Sequence, residues 1–306
     1  MEEISMTTMS SASIHDVTVN LEGMWILQAM LDVATVAPEL RAVPYGAPRS
    51  ANWLAGDPRV KTLQQAGVVG ADGHVCTAVA NRLRVLGAPD VEVAILVATG
   101  SLRWPGPIDP DRPDTWERQV PDNQLQVVLA RRDGRWVSAV RAGQEITIDD
   151  VDTDSPCALW LRNIIIGQLD GIHPVGPARL DAMNIPFDDL AAASTEGHGD
   201  SRALRRIGVP DSAAAELGEL LTDPAAEAVM YARAYVDARQ IGGVCALDLR
   251  DCESGRVALY RLPARRGTVQ NWMTIAPATE RQVIAGVQAV LSSVAVPDWD
   301  RHRRLR

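Results

Sequence analysis

Residues 124–151 read QLQVVLARRDGRWVSAVRAGQEITIDDV, and this stretch decides the fold class. Its three apolar segments, at 125–131, 136–142 and 145–151, are separated only by the tight turns RDGR and RAGQ. Turns of this length that contain glycine and join strand-like segments are typical of β-hairpins. Together with the apolar segment 91–98 that precedes them, the three segments predict a four-stranded antiparallel meander.

A second group of strand-like segments begins at Ala228. It comprises AVMYARAYVD, VCALDLRD, GRVALYRLP and NWMTIAP, which are also joined by short connections. The chain is therefore predicted to be an α+β protein with a central, largely antiparallel β-sheet in two quasi-repeated halves, 14–152 and 153–299. Both halves belong to one predicted domain at 14–299, with a disordered tail at 1–13 and a basic tail at 300–306.

Helices are predicted on both sides of these strand groups. Each predicted helix is supported by helical spacing of its apolar residues, by a capping residue or by a proline near its start. The predicted helices follow the strand-like residues 16–20 and lie within 57–67, 74–89, 155–172, 199–208, 210–223 and 279–294, with a patchier helical region at 173–194. For the helix at 155–172, Ser155 is the expected cap, and Pro156 is expected in the first turn.

Composition excludes several classes of partner. A formal net charge of -9 and a pI of about 5.1 argue against a nucleic-acid binder, because neutralising phosphates requires a basic face. The longest apolar runs fall short of the roughly 18 residues that a membrane span needs. The polar start MEEISMTTMSSAS lacks the apolar core of a secretory signal. We therefore expect a soluble cytoplasmic protein that binds no nucleic acid and does not insert into a membrane.

Residues with catalytic or metal-binding chemistry form no recognised pattern. The four cysteines lack C-x-x-C spacing, and no two of the five histidines lie three to five residues apart, so no zinc or redox site is predicted. The glycines of GVVGADG follow a helix instead of a strand, which predicts a turn and not a phosphate-binding loop. No catalytic residue, metal or cofactor is predicted, but an enzyme with dispersed catalytic residues stays open.

The connection between the second and third predicted strands is unusual. It reads LRWPGPIDPDRPDTWERQVPDN over residues 102–123 and sets Trp104, Ile108, Trp116 and Val120 among prolines and charges. Apolar anchors with a polar rim are typical of a recognition surface. The same composition fits a lid whose Trp side chains fold back onto the sheet, so both interpretations stay open.

Several blocks of the chain, in the same order, resemble the EspG family of mycobacterial type VII secretion systems. These blocks are TVNLEGMWILQAMLDVATVAPELRAVPY, VPDNQLQVVLARRDGRWVSAVRAGQEITIDDV, LRRIGVP, LTDPAAEAVMYARAYVD, GRVALYRLPARRG and NWMTIAPAT. The similarity runs from residue 16 to residue 299 and is greatest to the member that serves the fifth ESX system. It implies a C-terminal helical bundle beside an antiparallel sheet.

The function that this resemblance implies is that of a cytosolic chaperone without catalytic activity or cofactor. Such a chaperone binds PE–PPE heterodimers in a 1:1:1 complex, mainly through the helical tip of the PPE subunit. It keeps the heterodimers soluble and directs them to an ESX secretion system.

The resemblance also implies where the partner binds, namely at the sheet, at the loop after its second strand and at the helical bundle. The implied partner-binding residues are Trp104, Ile108, Asp109, Trp116, Arg118 and Val120 in the loop and Leu204, Ile207 and Val209 in the bundle. In the bundle, some of these apolar side chains face the partner or, alternatively, all of them close the core together with Leu217.

An exported ESX substrate is the other alternative. The WPG at Trp104 matches the Trp-x-Gly of small secreted helical hairpins, but in this chain strand segments flank it. None of the four tyrosines begins the Tyr-x-x-x-Asp/Glu pattern of exported partners. The sequence therefore favours the chaperone over the substrate.

Overall fold

The computed structural model describes residues 16–42, 56–103, 120–197, 201–237, 239–262 and 271–304. The α-helices in these ranges are α1 (Leu21–Met30), α2 (Pro58–Gln65), α3 (Thr77–Gly87), α4 (Cys157–Ile172), α5 (Phe187–Gly197), α6 (Ser201–Arg206), α7 (Asp211–Thr222) and α8 (Glu280–Ser293). A 3₁₀ helix spans Pro38–Leu40. The strands are β1 (Asp16–Asn20), β2 (Val91–Thr99), β3 (Gln124–Arg132), β4 (Arg135–Ala142), β5 (Glu145–Val151), β6 (Met183–Pro186), β7 (Ala226–Val236), β8 (Arg239–Gly242), β9 (Leu247–Cys252), β10 (Gly255–Leu262) and β11 (Trp272–Pro277).

These strands form one antiparallel sheet in the order β1-β5-β4-β3-β2-β7-β9-β10-β11-β6, and β8 pairs with β7 beside this path. The predicted α+β class and antiparallel sheet are confirmed. At the RDGR turn, Asp133 and Gly134 have φ values of 51° and 86°. Positive φ at both central residues is the turn geometry that matches the twist of a hairpin.

The β2–β7 pair joins two meanders at the centre of the sheet. On one side β2 continues into β3, β4 and β5, and on the other side β7 continues into β9, β10 and β11. Each meander ends beside a short strand from earlier in the chain, β1 or β6. The quasi-repeat of two halves stays a prediction.

Helices cover both faces of this sheet. On one face α4 and α8 pack on the central strands, where Ile95 and Met230 meet Ile165 and Val287 in one buried cluster. On the other face, α1, α2 and α3 pack on β1, β5, β4 and β3, while α5, α6 and α7 pack on the strands from β9 to β11. The alternation of side chains along each strand therefore supplies both faces with apolar contacts.

Three short elements were not predicted from the sequence: the 3₁₀ helix, β6 and β8. The prediction of Ser155 as the cap of α4 is wrong. Pro156 occupies the N-cap position with an extended backbone (ψ 141°), and no side chain caps the helix there. At the start of α2, Asp57 is the cap, since its side chain accepts a hydrogen bond from the backbone N–H of Arg59 at 2.9 Å.

The residues just after α8 are part of the packed structure. The guanidinium of Arg131 in β3 donates hydrogen bonds to the carbonyl oxygens of Trp299, Asp300 and His302 at 2.6, 2.7 and 3.0 Å. The backbone N–H of Arg304 donates to Asp90 at 2.9 Å. The packed region therefore reaches Arg304, which lies within the predicted basic tail.

Candidate docking site

The face of the sheet opposite α4 and α8 has a central strip between the two helical layers. In antiparallel strands, paired residues point to the same face. On this face, two cross-strand rows run through all four of the strands β3, β2, β7 and β9, and together we call them the docking strip; six of its eight residues are buried, and Asp248 and Arg250 are partly exposed. One row is Gln124, Ala98, Glu227 and Arg250, and the next row is Gln126, Leu96, Val229 and Asp248.

A groove of about 440 Å³ opens where the docking strip meets α5 and α7. Its lining combines apolar side chains of the helices with both apolar and charged side chains of the sheet. The lining residues are Phe187, Leu190, Ala191, Leu221, Glu227, Val229, Val244, Ala246, Asp248, Arg250, Leu259, Arg261 and Met273. Val244 in this lining is 65% exposed, the largest exposed fraction among the exposed large apolar side chains of the described residues. Concave apolar surface with a few polar groups is typical of a binding site.

Both ends of the connection between β2 and β3 are fixed beside this groove. The backbone N–H of Leu102 donates to Glu227 Oε2 at 2.7 Å. The side chain of Gln124 donates to the carbonyl oxygen of Arg103 at 3.2 Å, and that of Asn123 donates to the carbonyl oxygen of Thr99 at 2.7 Å. The unusual sequence segment therefore leaves and rejoins the sheet at the edge of the groove.

Arg250 is the central cation of the groove. Its Nε donates to Asp248 Oδ2 and its Nη2 donates to Glu227 Oε1, both at 2.9 Å. Its Nη1 donates to the carbonyl oxygens of Leu220 and Leu221, at the end of α7. The Arg250 guanidinium thus binds the carboxylates of Asp248 and Glu227 and also links the end of α7 to the sheet.

Asp248 titrates in the physiological range because of this arrangement. Burial raises its pKa to about 7; the charge and hydrogen bond of Arg250 lower the pKa, and the charge of Glu227 raises it. Arg261 also lines the groove, and its guanidinium lies 5.0 Å from the ring centroid of Phe187. Asp248 therefore changes charge near neutral pH within a mixed polar and apolar site.

A second buried polar cluster lies further along β2 and β7. Arg233 donates to both carboxylate oxygens of Glu39 at 2.7 Å and to Glu92 at 2.5 Å. The hydroxyl groups of Tyr231 and Tyr235 donate to Glu39 at 2.7 Å and to Glu92 at 2.5 Å. This cluster fastens the 3₁₀ helix to the middle of the sheet, and its groups are satisfied within the chain, which fits a structural role.

Burial affects the two carboxylates of this cluster differently. It raises the pKa of Glu39, but the hydrogen bonds and charge of Arg233 outweigh burial and hold that pKa below its usual value. For Glu92, burial prevails over the same cation and raises the pKa. Arg233 therefore offsets the effect of burial on the pKa of Glu39 more completely than on the pKa of Glu92.

The structure places the sequence-predicted site residues in three groups. Trp104, Ile108, Asp109, Trp116 and Arg118 lie outside the described residues. Val120, Leu204 and Val209 are buried, and Leu204 and Val209 pack with Leu217 in the cluster beneath α5, α6 and α7. Ile207 is only partly buried at the edge of that cluster. The choice between partner-facing and core roles therefore stays open chiefly for Ile207.

Sequence reasoning missed the polar residues of the docking strip. Gln126, Glu227, Asp248 and Arg250 come from three strands that are far apart along the chain, and only the strand register brings them together. A hint existed in LDLRD, where Asp248 and Arg250 alternate with Leu247 and Leu249. In a central strand such alternation indicates one face with polar side chains.

Two further kinds of site find no support in the part of the chain that the structure describes. No group of three or more His, Cys, Asp or Glu side chains there is arranged to hold a metal ion. None of the described helices has the length and apolar character needed to cross a membrane. All four cysteines are free; Cys245 and Cys252 are buried, and Cys76 and Cys157 are partly buried.

Comparison with known proteins assigns the family. The model of the EspG family matches residues 20–289. The chain belongs to the EspG family. It is 40% identical to the ESX-5 secretion-associated protein EspG5 of Mycobacterium marinum and 39% identical to that of Mycobacterium tuberculosis. Each alignment covers 95% of this chain and 97% of the relative.

The fold of this EspG-family chain also matches a solved structure. That structure is the Mycobacterium tuberculosis type VII secretion system chaperone EspG5 in complex with the PE25-PPE41 dimer. The TM-score is 0.81 at 38% sequence identity, and the match covers 94% of this chain and 99% of the solved chain. The predicted family resemblance is therefore confirmed.

Proposed function

We propose that this protein is a cytosolic, non-catalytic chaperone of type VII secretion that binds a PE–PPE heterodimer in a 1:1:1 complex. It grips the helical tip of the PPE subunit, keeps the heterodimer soluble and directs it to an ESX system. The observation that carries the proposal is the match over nearly the whole chain to EspG5, which was solved together with a PE25-PPE41 dimer. At 38% identity, the shared fold extends to the sheet and helices that form the groove.

The docking strip, its groove and the connection between β2 and β3 form the proposed binding surface. A chaperone for apolar helix tips must present apolar side chains to water, and Val244 does so at the groove. In the connection, Trp104, Ile108 and Trp116 supply apolar anchors, Asp109 and Arg118 supply charge, and the buried Val120 supports them from below. Trp offers a large contact area for few rotatable bonds. In the bundle, Ile207 joins this surface, and Leu204 and Val209 support it from below.

Co-expression tests the proposed function most directly. The chain is produced with each PE–PPE pair encoded by the same host, and the purified material is analysed by size exclusion with light scattering. A peak with the mass of one chaperone and one heterodimer is the expected result. Separate elution of the chaperone with every pair would remove the proposed function.

A substitution at Val244 tests the location of the site. Val244→Asp places a charge on an exposed apolar position of the groove, so folding is preserved while partner binding weakens by about tenfold or more. Ile172→Asp, at a partly exposed position at the end of α4, serves as the matched control. Equal binding by Val244→Asp and wild type would place the interface elsewhere.

A further inference from the structure

Two arginines line the groove, and they differ in the partners that the described residues give them. Arg250 bonds the carboxylates of Asp248 and Glu227, both at 2.9 Å. The guanidinium of Arg261 forms no hydrogen bond or ion pair with any described residue. The groove therefore contains one guanidinium whose N–H donors have no acceptor oxygen in the part of the chain that the structure describes.

An aromatic ring positions this unpaired cation. Arg261 of β10 pairs with Met273 of β11, and both side chains line the groove. The guanidinium lies 5.0 Å from the ring centroid of Phe187, the only phenylalanine of the chain. The ring attracts the cation but offers no oxygen acceptor. Asp188 and Asp189 follow Phe187 on α5, and neither forms an ion pair with Arg261. Phe187 therefore holds the cation at the groove without neutralising it.

The two acids of the lining are engaged with the other arginine. Glu227 is buried and accepts hydrogen bonds from Arg250 and from the backbone N–H of Leu102. Asp248 accepts from Arg250, and burial raises its pKa to about 7, so near neutral pH it is ionised in only part of the molecules. The positive charge of Arg261 therefore remains available to a partner that enters the groove.

Arg261 and exposed apolar surface belong to the same groove. Val244 in the lining is 65% exposed, and Arg261 itself is partly exposed, so solvent reaches both side chains in the free chain. A partner that covers Val244 also removes water from the groove. A cation that loses water without gaining an acceptor costs free energy. The groove therefore favours a partner that brings an acceptor together with apolar side chains.

We propose that Arg261 binds a carboxylate on the helical tip of the PPE subunit and thereby selects tips that combine an acidic residue with apolar side chains. This inference rests on the proposed chaperone function. A guanidinium matches a carboxylate with two parallel N–H···O hydrogen bonds, which a single carbonyl oxygen does not provide. A tip without an acid leaves Arg261 covered and unpaired, and it binds more weakly.

Substitutions of Arg261 test the proposal with a PE–PPE pair that the wild-type chain binds. Arg261→Met keeps an unbranched apolar side chain against Phe187 and removes the charge and all donors. We expect its affinity to fall by about tenfold or more, with little change in melting temperature. Arg261→Lys keeps the charge without the paired donors, so a loss of about threefold is expected. Arg303→Met removes an exposed arginine outside the groove lining and serves as the control with unchanged affinity.

Substitutions in the partner identify the carboxylate. Each Asp and Glu of the PPE tip is changed to Asn or Gln, and the affinity is measured for the wild-type chain and for Arg261→Met. We expect one of these changes to weaken binding to the wild type by about tenfold and to have little further effect on Arg261→Met, because both changes break one ion pair. As the salt concentration rises from about 0.05 M to about 0.5 M, the wild-type affinity should fall more steeply than that of Arg261→Met.

Several outcomes would overturn the inference. Equal affinities of Arg261→Met and wild type would refute it and leave the chaperone function intact, whereas failure of the wild type to bind any pair would refute both. A loss in Arg261→Met that couples to no acid of the tip would show that the guanidinium does not bind a carboxylate. If Arg261→Met melts at a clearly lower temperature, the wild-type chain decides, since an affinity that depends on no acid of the tip would also refute the inference.

Discussion

Arg233 binds two buried carboxylates with one guanidinium group, at 2.7 Å from Glu39 and 2.5 Å from Glu92. All three side chains are more than nine-tenths buried. Removing the cation leaves two buried carboxylates without compensation, which typically costs 3–5 kcal/mol. We therefore expect Arg233→Ala to lower the free energy of unfolding by about 3 kcal/mol or more, as measured by urea denaturation at pH 7.5.

Acid conditions provide the control for this prediction. In the variant, burial raises the pKa of both glutamates, as it already does for Glu92 in the wild type. A group with a raised pKa binds more protons in the folded than in the unfolded state, so stability increases as pH falls toward that pKa. The stability difference between Arg233→Ala and wild type should therefore shrink from pH 7.5 to pH 5. An equal difference at both pH values would show that lost packing, and not charge, accounts for the cost.

Trp104 and Trp116 carry the second prediction at the level of single side chains. If they anchor the partner, replacing either with Ala changes the free energy of unfolding by about 0.5 kcal/mol or less. Binding then weakens by about 2 kcal/mol or more, a factor of about thirty. A lid that packs on the sheet predicts the reverse, with a stability loss of roughly 3–5 kcal/mol. Melting curves and titrations of both variants separate the two interpretations, and two stable, fully binding variants would exclude the connection as a recognition element.

The residues of the site show which single side chains could be predicted from the sequence. Trp104 and Trp116 attract notice because they lie in a segment that is rich in proline and charge. Gln126 and Asp248 do not attract notice, because each lies in an ordinary strand. Their neighbours in the site lie on other strands of the sheet. Their role depends on register, and one sequence does not fix register across four strands.

The turn after α6 decides the role of Ile207. The backbone N–H groups of Ile207 and Val209 both donate to the carbonyl oxygen of Leu204, at 3.2 and 3.1 Å, and Gly208 between them has a φ of +95°. This turn buries Leu204 and Val209 and leaves Ile207 partly exposed at the edge of the bundle. A partner that reaches the bundle would therefore meet Ile207 first.

Ile207→Asp tests this placement. If Ile207 faces the partner, we expect affinity to fall by about tenfold or more, with a small change in melting temperature. Ile207→Leu, which conserves size and apolar character, should preserve both quantities. A variant Ile207→Asp that binds normally and melts at a clearly lower temperature would assign Ile207 to the core.

Strands and helices were predictable where their patterns are long. The eight residues of β4 and the fourteen residues of α8 span several periods of the apolar pattern, and both were found. By contrast, β6 and β8 have four residues each, and the 3₁₀ helix has three, which is too short for a period to show. The strand β6 forms at the sheet edge by pairing with β11. This pairing joins segments that are far apart in the chain, so the local sequence does not show it.

The order of the elements explains why the molecule has a docking strip at all. Among the described residues, β1 is followed by three α-helices and a 3₁₀ helix, then by β2 to β5 and α4, and β6 is followed by three α-helices, then by β7 to β11 and α8. The two meanders meet at their first strands, β2 and β7, and each set of three helices covers the strands away from that junction. The junction therefore keeps the docking strip between two helical layers, where Asp248 and Arg250 are partly exposed and the other six residues of the strip are buried.

Binding at this junction predicts a measurable gain in stability of the whole chain. A ligand that binds only the folded protein adds about 2.7 kcal/mol at a free concentration of one hundred times Kd. For a chain of this size, 1 kcal/mol corresponds to about 1.5 °C, so the melting temperature should rise by roughly 4 °C. A purified PE–PPE pair titrated into the chaperone, followed by calorimetry, measures this rise. Val244→Asp should melt like wild type alone and show a smaller rise at the same partner concentration, because it weakens binding without loosening the fold. An equal rise in both proteins would mean that the heterodimer binds away from the groove.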